Sequence, residues 1–398
     1  MAKQALAGIR VLDLTVVWSG PYGGKLLADM GADVIKIQNQ PPPEFASRFS
    51  SNPYTTMLLG NREGLCIDLS MEKGKEIFKR LVAISDIVLE NFSVKVMKKL
   101  ELDYDSLKAV KDDIIMVSMP AFGATGPESH YVGYGVNIEQ LAGMVALTGY
   151  LNGPPMKSGI NYGDPTAGVT MAGAALAALN YRKKTGKGQF IDISQREGVT
   201  CFLGEAVLEY TMNKRVIPRM GNRHPSMAPH GVYRCKGEDR WIAIAIDSDE
   251  RWKSLCQVIG NPELAKEENF SDTLSRWKNQ MELDRLLNEW TVKYTDYELM
   301  EKLQAVGIAA QPVLSNTARL EDHQLKARGF YQEVTHPEAG SYLYPKPPWM
   351  MSKTPPEIRT PSPRLGEHNE QVLSRLLGMT KEEIADLYEE EVLIKFSS

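Results

Sequence analysis

Cysteine is scarce in this chain. The four residues, Cys66, Cys201, Cys235 and Cys256, are far apart in 398 positions and form no C-x-x-C pair. That excludes a zinc knuckle, a dithiol redox motif and a disulfide scaffold, and the four are read as buried free thiols. Histidine is scarce too. His130, His224, His230, His323, His336 and His368 make no H-x-H or H-E-x-x-H pattern, so no metal site is expected. They are read as surface or loop residues, His224 and His230 being the two placed to line a site. Neither sign of charge prevails: 46 Lys and Arg face 50 Asp and Glu, a formal net charge of -4. The broad basic surface that nucleic acid requires is therefore missing. No stretch approaches the roughly 18 uninterrupted apolar residues of a membrane span, and the first residues lack the apolar segment of a secretory signal. A cytoplasmic location is expected. No G-x-S-x-G elbow and no Walker A motif occurs, which removes support for hydrolase and P-loop chemistry.

What is present is ordinary globular composition, 43% hydrophobic, in a chain long enough for about two domains and a large core. Residues 9–15, Ile-Arg-Val-Leu-Asp-Leu-Thr, read as a buried strand. A glycine-rich turn follows at Ser19-Gly20-Pro21-Tyr22-Gly23-Gly24, then a helix from Lys25 to Met30 and a strand from Ala32 to Ile37. Helix 72–83 with strand 86–89, and helix 104–111 with strand 114–118, continue the alternation. Repeated β-α-β units predict an open parallel sheet. A long small-residue helix is predicted over 166–183, apolar nearly all round and hence buried. A strand over 189–194 and another apolar helix over 197–212 follow. The texture changes at 213–230, rich in Arg, Asn, Pro, Met and His, which reads as an ordered linker. A smaller α/β domain follows at 231–320. Residues 321–364 form a second linker and return, proline-rich and loop-rich from 331 on. Two helices, near 368–377 and 380–389, close the chain.

The glycine turn does not match G-x-G-x-x-G, and Gln38 stands where a ribose-binding acid would close the second strand. A dinucleotide site is disfavoured; a turn facing phosphate or acyl groups fits better. The run Arg182-Lys183-Lys184-Thr185-Gly186-Lys187 reads as a solvated helix C-terminus. The most informative segment is Gly163-Asp164-Pro165-Thr166-Ala167-Gly168. An Asp at a helix start is first of all an N-cap. It also suits a nucleophile: the dipole and N–H groups would hold its carboxyl below the ordinary value of roughly 3.9, and small neighbours leave room for an acyl group.

Together these segments resemble the class III coenzyme-A transferases, the group of formyl-CoA and carnitinyl-CoA transferases. The likeness runs through Leu6-Ala7-Gly8-Ile9-Arg10-Val11-Leu12-Asp13-Leu14-Thr15, Gly20-Pro21, the stretch from Leu27 to Ile37, Glu90-Asn91-Phe92, Gly163-Asp164, and Lys184-Thr185-Gly186-Lys187-Gly188-Gln189. It ends with Ala327-Arg328-Gly329-Phe330, His336-Pro337 and Leu365-Gly366-Glu367-His368. The resemblance implies an α/β protein with a large Rossmann-like domain. Its parallel sheet would be built from both chain ends, residues 1–212 and 365–398, with the small domain between two linkers. It also implies an interlocked ring dimer, either a homodimer or a heteromer with a related subunit. Coenzyme A thioesters would be substrates, and no permanently bound cofactor and no metal would be needed.

By the same resemblance Asp164 is the nucleophile, passing through an anhydride to an aspartyl-CoA thioester. Asn91 and Phe92 lie along coenzyme A, Lys99 meets its phosphates, Ile67 lies near the adenine and Ser19 beside the thiol. Three places depart from the formyl-CoA type. Trp18 replaces a polar amide side chain, Gly135 a carboxylate, and residues 223–230, ending at His230, a glycine loop. The departures imply a larger, partly apolar acceptor acid, such as an aryl- or alkyl-substituted succinate, with succinyl-CoA as a donor. Two alternatives remain: an α-methylacyl-CoA racemase, in which Tyr134 would occupy the position of the catalytic histidine, and a CoA-binding subunit without turnover. An unperturbed tyrosine, with a pKa of about 10, is a poor base at pH 7.

Overall fold

The structure is a computed structural model describing residues 4–39 and 53–394. They divide into two compact units. One is drawn from Met1–Val145, Lys157–Val216 and Ala327–Ser398, the other from Ala146–Met156 and Ile217–Lys326.

The first unit is organised by six parallel strands: β1 (Arg10–Asp13), β2 (Asp33–Gln38), β3 (Arg62–Cys66), β4 (Ile87–Glu90), β5 (Ile115–Ser118) and β6 (Gln189–Asp192). Their order is β3-β2-β1-β4-β5-β6. The chain therefore runs outward from β1 in one direction, then restarts at β4 on its other side. This leaves a crevice between the C-terminal ends of β1 and β4, where open α/β sheets bind ligands. Successive side chains alternate between faces. Leu12, Val88 and Met116 enter one core with Phe78, Leu81, Val372, Leu373, Ile384 and Leu387. Val11, Ile87, Leu89, Ile115 and Val117 enter the other with Leu26, Leu27, Met171 and Ala175.

The C-terminal segment supplies the helices Asn369–Leu377 and Lys381–Glu389 to the first of these cores, plus one isolated bridge, Ile67 to Leu393. Among the described residues it adds no strand to the parallel sheet. The expectation of a sheet built from both ends is corrected accordingly: the unit is built from both ends, the sheet from residues 10–192. Two α-helical faces suffice to cover that end of the sheet.

Three local expectations also change. The glycine-rich stretch is not a turn; it forms the first two turns of a helix, Ser19–Asp29. Glycine is a poor helix former, but a closer demand prevails. A Cβ on Gly23 would lie 2.9 Å from the Gly168 carbonyl oxygen, and one on Gly168 would lie 2.7 Å from the Ser19 carbonyl oxygen. Backbone meets backbone where this helix crosses the long helix Gly163–Thr185. The long helix buries one face only, through Asp164, Ala167, Gly168, Met171, Ala175 and Ala178; Val169 and Tyr181 on its other side are exposed. Finally, the proline-rich segment opens with an antiparallel hairpin, β10 (Tyr331–His336) and β11 (Gly340–Pro345), whose Val334 and Tyr344 are buried with Ile358. His336 is buried as well, its Nδ1 accepting the Glu338 and Ala339 N–H groups. Cys201 is exposed, whereas Cys66, Cys235 and Cys256 are buried.

The second unit is a three-stranded antiparallel sheet, β7 (His230–Arg234), β8 (Trp241–Ala245) and β9 (Ala309–Pro312), in the order β7-β8-β9. Its helices, Asp249–Ile259, Gln280–Thr291 and Asp296–Gln304, pack Trp252, Leu255, Leu283, Leu287 and Leu299 against Ile242 and Ile244. Among the described residues no helix is long and apolar enough to cross a membrane.

Candidate active site

The loop leaving β1 is held from the other side of the crevice. Asn91, the first residue after β4, accepts the Val16 N–H at 2.8 Å, donates to the Val16 carbonyl at 2.9 Å and donates to Ser19 Oγ at 3.2 Å. From inside, the buried Lys36 ammonium donates to the carbonyls of Asp13 and Thr15. Between these grips Val17 sits at φ 66, left-handed backbone that a β-branched residue rarely adopts. Val17 is exposed at the tip of the loop. Trp18 follows as the half-buried N-cap of the Ser19–Asp29 helix.

Beneath the loop lies an ion cluster. Asp13 is wholly buried beside Lys36 at 3.5 Å and Arg62 at 3.4 Å, and accepts the Thr15 N–H. Burial alone would raise its carboxyl; Lys36, Arg62 and Thr15 outweigh this and hold it below the ordinary value. Burial pushes the Lys36 ammonium down to about 8 against the pull of Asp13. Lys25 and Asp29 pair next to it, and Asn61 donates to Asp29 at 2.7 Å.

Asp164 is the second residue of the long helix and 7% exposed. The N-cap of this helix is Tyr162, not Asp164, and Tyr162 makes no side-chain capping bond. The backbone N–H of Ser19, the first residue of the neighbouring helix, lies near enough to Asp164 to favour its ionised form. Gly135 presses on it from a third side: a Cβ there would come within 2.0 Å of Asp164 Oδ2. The expected depression of its carboxyl is reversed. Burial, reinforced by the charge of Glu139, pushes it up to about 6, and the Ser19 N–H only partly opposes this. A helix start favours the ionised form, but here desolvation outweighs it, and desolvation is not displayed by a sequence.

The other expected residues are placed unevenly. Ser19, Trp18, Asn91 and Gly135 gather around Asp164 or around the loop that reaches it. Ser19 is buried. Phe92 is half-buried, its N–H donating to Glu90 at 2.8 Å. Burial raises the Glu90 carboxyl to about 7, and bonds from Ser118 and Phe92 oppose the rise. Lys99 is exposed at the end of the short helix Lys95–Lys99. Ile67 is wholly buried in the core, so its side chain offers no surface to a ligand. Tyr134 is the exposed N-cap of the helix Gly135–Leu141. His230 opens β7 in the second unit, its Nδ1 at 2.6 Å from the Asn222 carbonyl and its ring 5.3 Å from that of His224. Among the described residues no group of three His, Cys, Asp or Glu could hold a metal ion. Glu139 and the Ser19 N–H were not anticipated from the sequence. Glu139 is the one charged residue between Val136 and Ala142, the available signal for the first; nothing marks the second.

The site is thus a buried carboxylate without an ion-pair partner among the described residues, next to the helix that follows β1 of a 3-2-1-4-5-6 sheet. Comparison with known proteins decides the class. The profile of CoA-transferase family III matches residues 6–369. The chain belongs to CoA-transferase family III. The chain is 32% identical to a succinyl-CoA–D-citramalate CoA-transferase of Chloroflexus aurantiacus over 396 residues, 98% of each protein. It is 31% identical to a succinate–glutarate CoA-transferase of Agrobacterium fabrum, over 94% of this chain and 96% of that one. Among solved structures, a CAIB/BAIF family protein from Brucella suis superposes with a TM-score of 0.85 at 30% identity, covering 94% of this chain and all of that one. The protein is a class III CoA-transferase, an enzyme whose substrates are coenzyme A thioesters and carboxylic acids.

Proposed function

We propose that this transferase moves coenzyme A from succinyl-CoA to a dicarboxylic acceptor through Asp164. The observation that carries the reading is the Asp164 carboxylate: buried, without an ion-pair partner among the described residues, closely faced by Gly135 and near the Ser19 N–H. Such a carboxylate is more basic than an exposed one and is a better nucleophile for it.

Asp164 attacks the thioester carbonyl of the donor and expels coenzyme A thiolate, leaving a mixed anhydride. The thiolate attacks the aspartyl carbonyl, releases the donor acid and leaves an aspartyl-CoA thioester. The acceptor carboxylate attacks that thioester and expels the thiolate again. The thiolate then attacks the acceptor carbonyl, releasing the new acyl-CoA and free Asp164. When the aspartyl carbonyl becomes tetrahedral, negative charge develops on its oxygen, and the nearby Ser19 N–H is the donor proposed to meet it. One such donor is worth roughly 10²–10³ in rate in other acyl transfers. Asn91 holds Ser19 and Val16 in register and so fixes that donor. An anhydride must be kept from water, which the burial of Asp164 favours.

The relatives support a dicarboxylic acceptor and a succinyl donor. Citramalate is itself a methyl-substituted hydroxysuccinate, in keeping with the substituted succinate expected from Trp18 and Gly135.

The test has two parts. Exchange of coenzyme A from succinyl-CoA to a panel of plain and substituted dicarboxylic acids is followed by mass spectrometry. Hydroxylamine or borohydride is then added with succinyl-CoA to trap the enzyme-bound thioester. The expected result is a label on Asp164 and transfer to at least one acid. Unimpaired exchange by Asp164→Ala would overturn the assignment.

A further inference from the structure

Glu139 is the least expected group near Asp164. It lies on the helix Gly135–Leu141, is 0% exposed, and makes no ion pair among the described residues. Burying a carboxylate without a cation is costly unless hydrogen bonds compensate. Two donors reach it. Its Oε1 accepts the backbone N–H of Tyr162, and Ser158 Oγ stands 3.3 Å from its Oε2 but shares its one proton with the nearer Ile160 carbonyl at 2.6 Å.

The position of those donors matters. Tyr162 is the N-cap of the long helix, two residues before Asp164. The bond to Glu139 satisfies a helix-start N–H and ties that start to the helix Gly135–Leu141. The same helix begins at Gly135, whose missing side chain makes room for Asp164 Oδ2, and a Cβ on Gly163 would lie 3.3 Å from the Gly135 carbonyl oxygen. One short helix thus touches the nucleophile at its first residue and anchors the nucleophile's own helix one turn later.

We propose that Glu139 is a positioning residue for the transfer. It pins Tyr162 so that Asp164 enters the site at a fixed angle, and it sets a negative charge against that carboxylate. This rests on the reading of Asp164 as the nucleophile.

The charge is the informative half. A purely structural anchor needs an acceptor, which an amide supplies equally well. The Glu139 charge acts on Asp164 in the same direction as burial, away from ionisation. Charged groups on the other elements packed against the long helix are otherwise engaged. Lys25 pairs with Asp29 on the Ser19–Asp29 helix, and Arg196 pairs with Glu128. Glu197 stands on the helix Gln195–Thr200, but the charge that raises Asp164 is that of Glu139.

The experiment compares wild type, Glu139→Gln and Glu139→Asp in succinyl-CoA exchange between pH 4.5 and 8.5. Glu139→Gln keeps an acceptor for Tyr162 and removes the charge. It is expected to shift the acid limb of kcat/KM to lower pH by roughly half a unit or more. Its plateau rate should fall several-fold, because a less basic carboxylate is a weaker nucleophile. Glu139→Asp keeps the charge but withdraws it from Tyr162 by one methylene. It should keep the acid limb near its wild-type position and lose plateau rate, and it decides the matter if Glu139→Gln does not fold. An unmoved acid limb in Glu139→Gln, or a shifted limb in Glu139→Asp, would overturn the proposal. Trapping in the same samples separates the two readings. A label on Asp164 with an unmoved limb rejects Glu139 alone; no label on Asp164 in wild type rejects the nucleophile.

Discussion

Replacing Asp164 by Asn should make the protein more stable and inactive. Asp164 has its carboxyl raised to about 6 in the folded chain, against roughly 3.9 when unfolded. Folding therefore favours the protonated form. Below about pH 4 both states are protonated and Asp164 costs nothing. Between about pH 4 and 6 the unfolded chain ionises while the folded chain keeps its proton, so stability falls across that window; above 6 the folded chain ionises too and the loss is complete. The gap between the folded and unfolded values corresponds to roughly 3 kcal/mol as an upper bound; solvent screening of a group that keeps some exposure reduces this to about 1–2 kcal/mol. Asn is neutral at every pH and has nearly the same shape as Asp. Asp164→Asn should thus gain about 1–2 kcal/mol at pH 8, which is a rise in Tm of about 2–6 °C for a unit of this size. Urea unfolding of both proteins at pH 4, 5, 6, 7 and 8 measures it. The gain should shrink through pH 6 and vanish near pH 4, while exchange activity is lost throughout. A difference independent of pH, or one that grows toward acid, would refute the reasoning.

Two further outcomes follow from the geometry. Gly135→Ala places a Cβ within 2.0 Å of Asp164 Oδ2 and should drive the carboxylate off the Ser19 N–H. A misplacement of this order costs about 10² in kcat/KM, and the melting temperature should fall, since the same Cβ would lie 2.8 Å from Asn161 Cβ; steady-state kinetics beside a thermal melt checks both. Asp13→Ala leaves the Lys36 and Arg62 cations buried without their shared carboxylate. It should cost about 3–5 kcal/mol, seen as a fall in the urea midpoint, and adding Arg62→Met should restore part of the loss.

Much of this architecture was legible in the sequence. Apolar runs such as Val11-Leu12 and Ile87-Val88-Leu89 announced strands buried on both faces, and the spacing of Ile77, Phe78, Leu81 and Val82 announced a helix lying on them. What was hidden depended on long-range contacts. Gly20, Gly23 and Gly24 look like a turn until the partner helix is known. Pro337 and Pro345 disguised the hairpin whose Val334 and Tyr344 face inward. Asp164 itself stood out, but its electrostatics did not: the acid that raises it lies 25 positions earlier, and the N–H that answers it lies 145 positions earlier. The buried state of Ile67 is likewise set by Leu393 and its neighbours, far away in the chain.

The crossing of the two glycine-bearing helices has a mechanical consequence. Side chains in a contact hop between rotamers, and each hop lets the joint rattle. Where Gly23 meets Gly168 the backbones approach directly, with Met171 and Tyr22 packed beside them, so the two helix starts have little slack between them. Ser19 leads one of them and Asp164 the other. The distance between donor and carboxylate is thereby set like the gap in a caliper, by two stiff jaws closed at a bare hinge. A side chain inserted at that hinge, several ångströms from any reacting atom, would open the jaws.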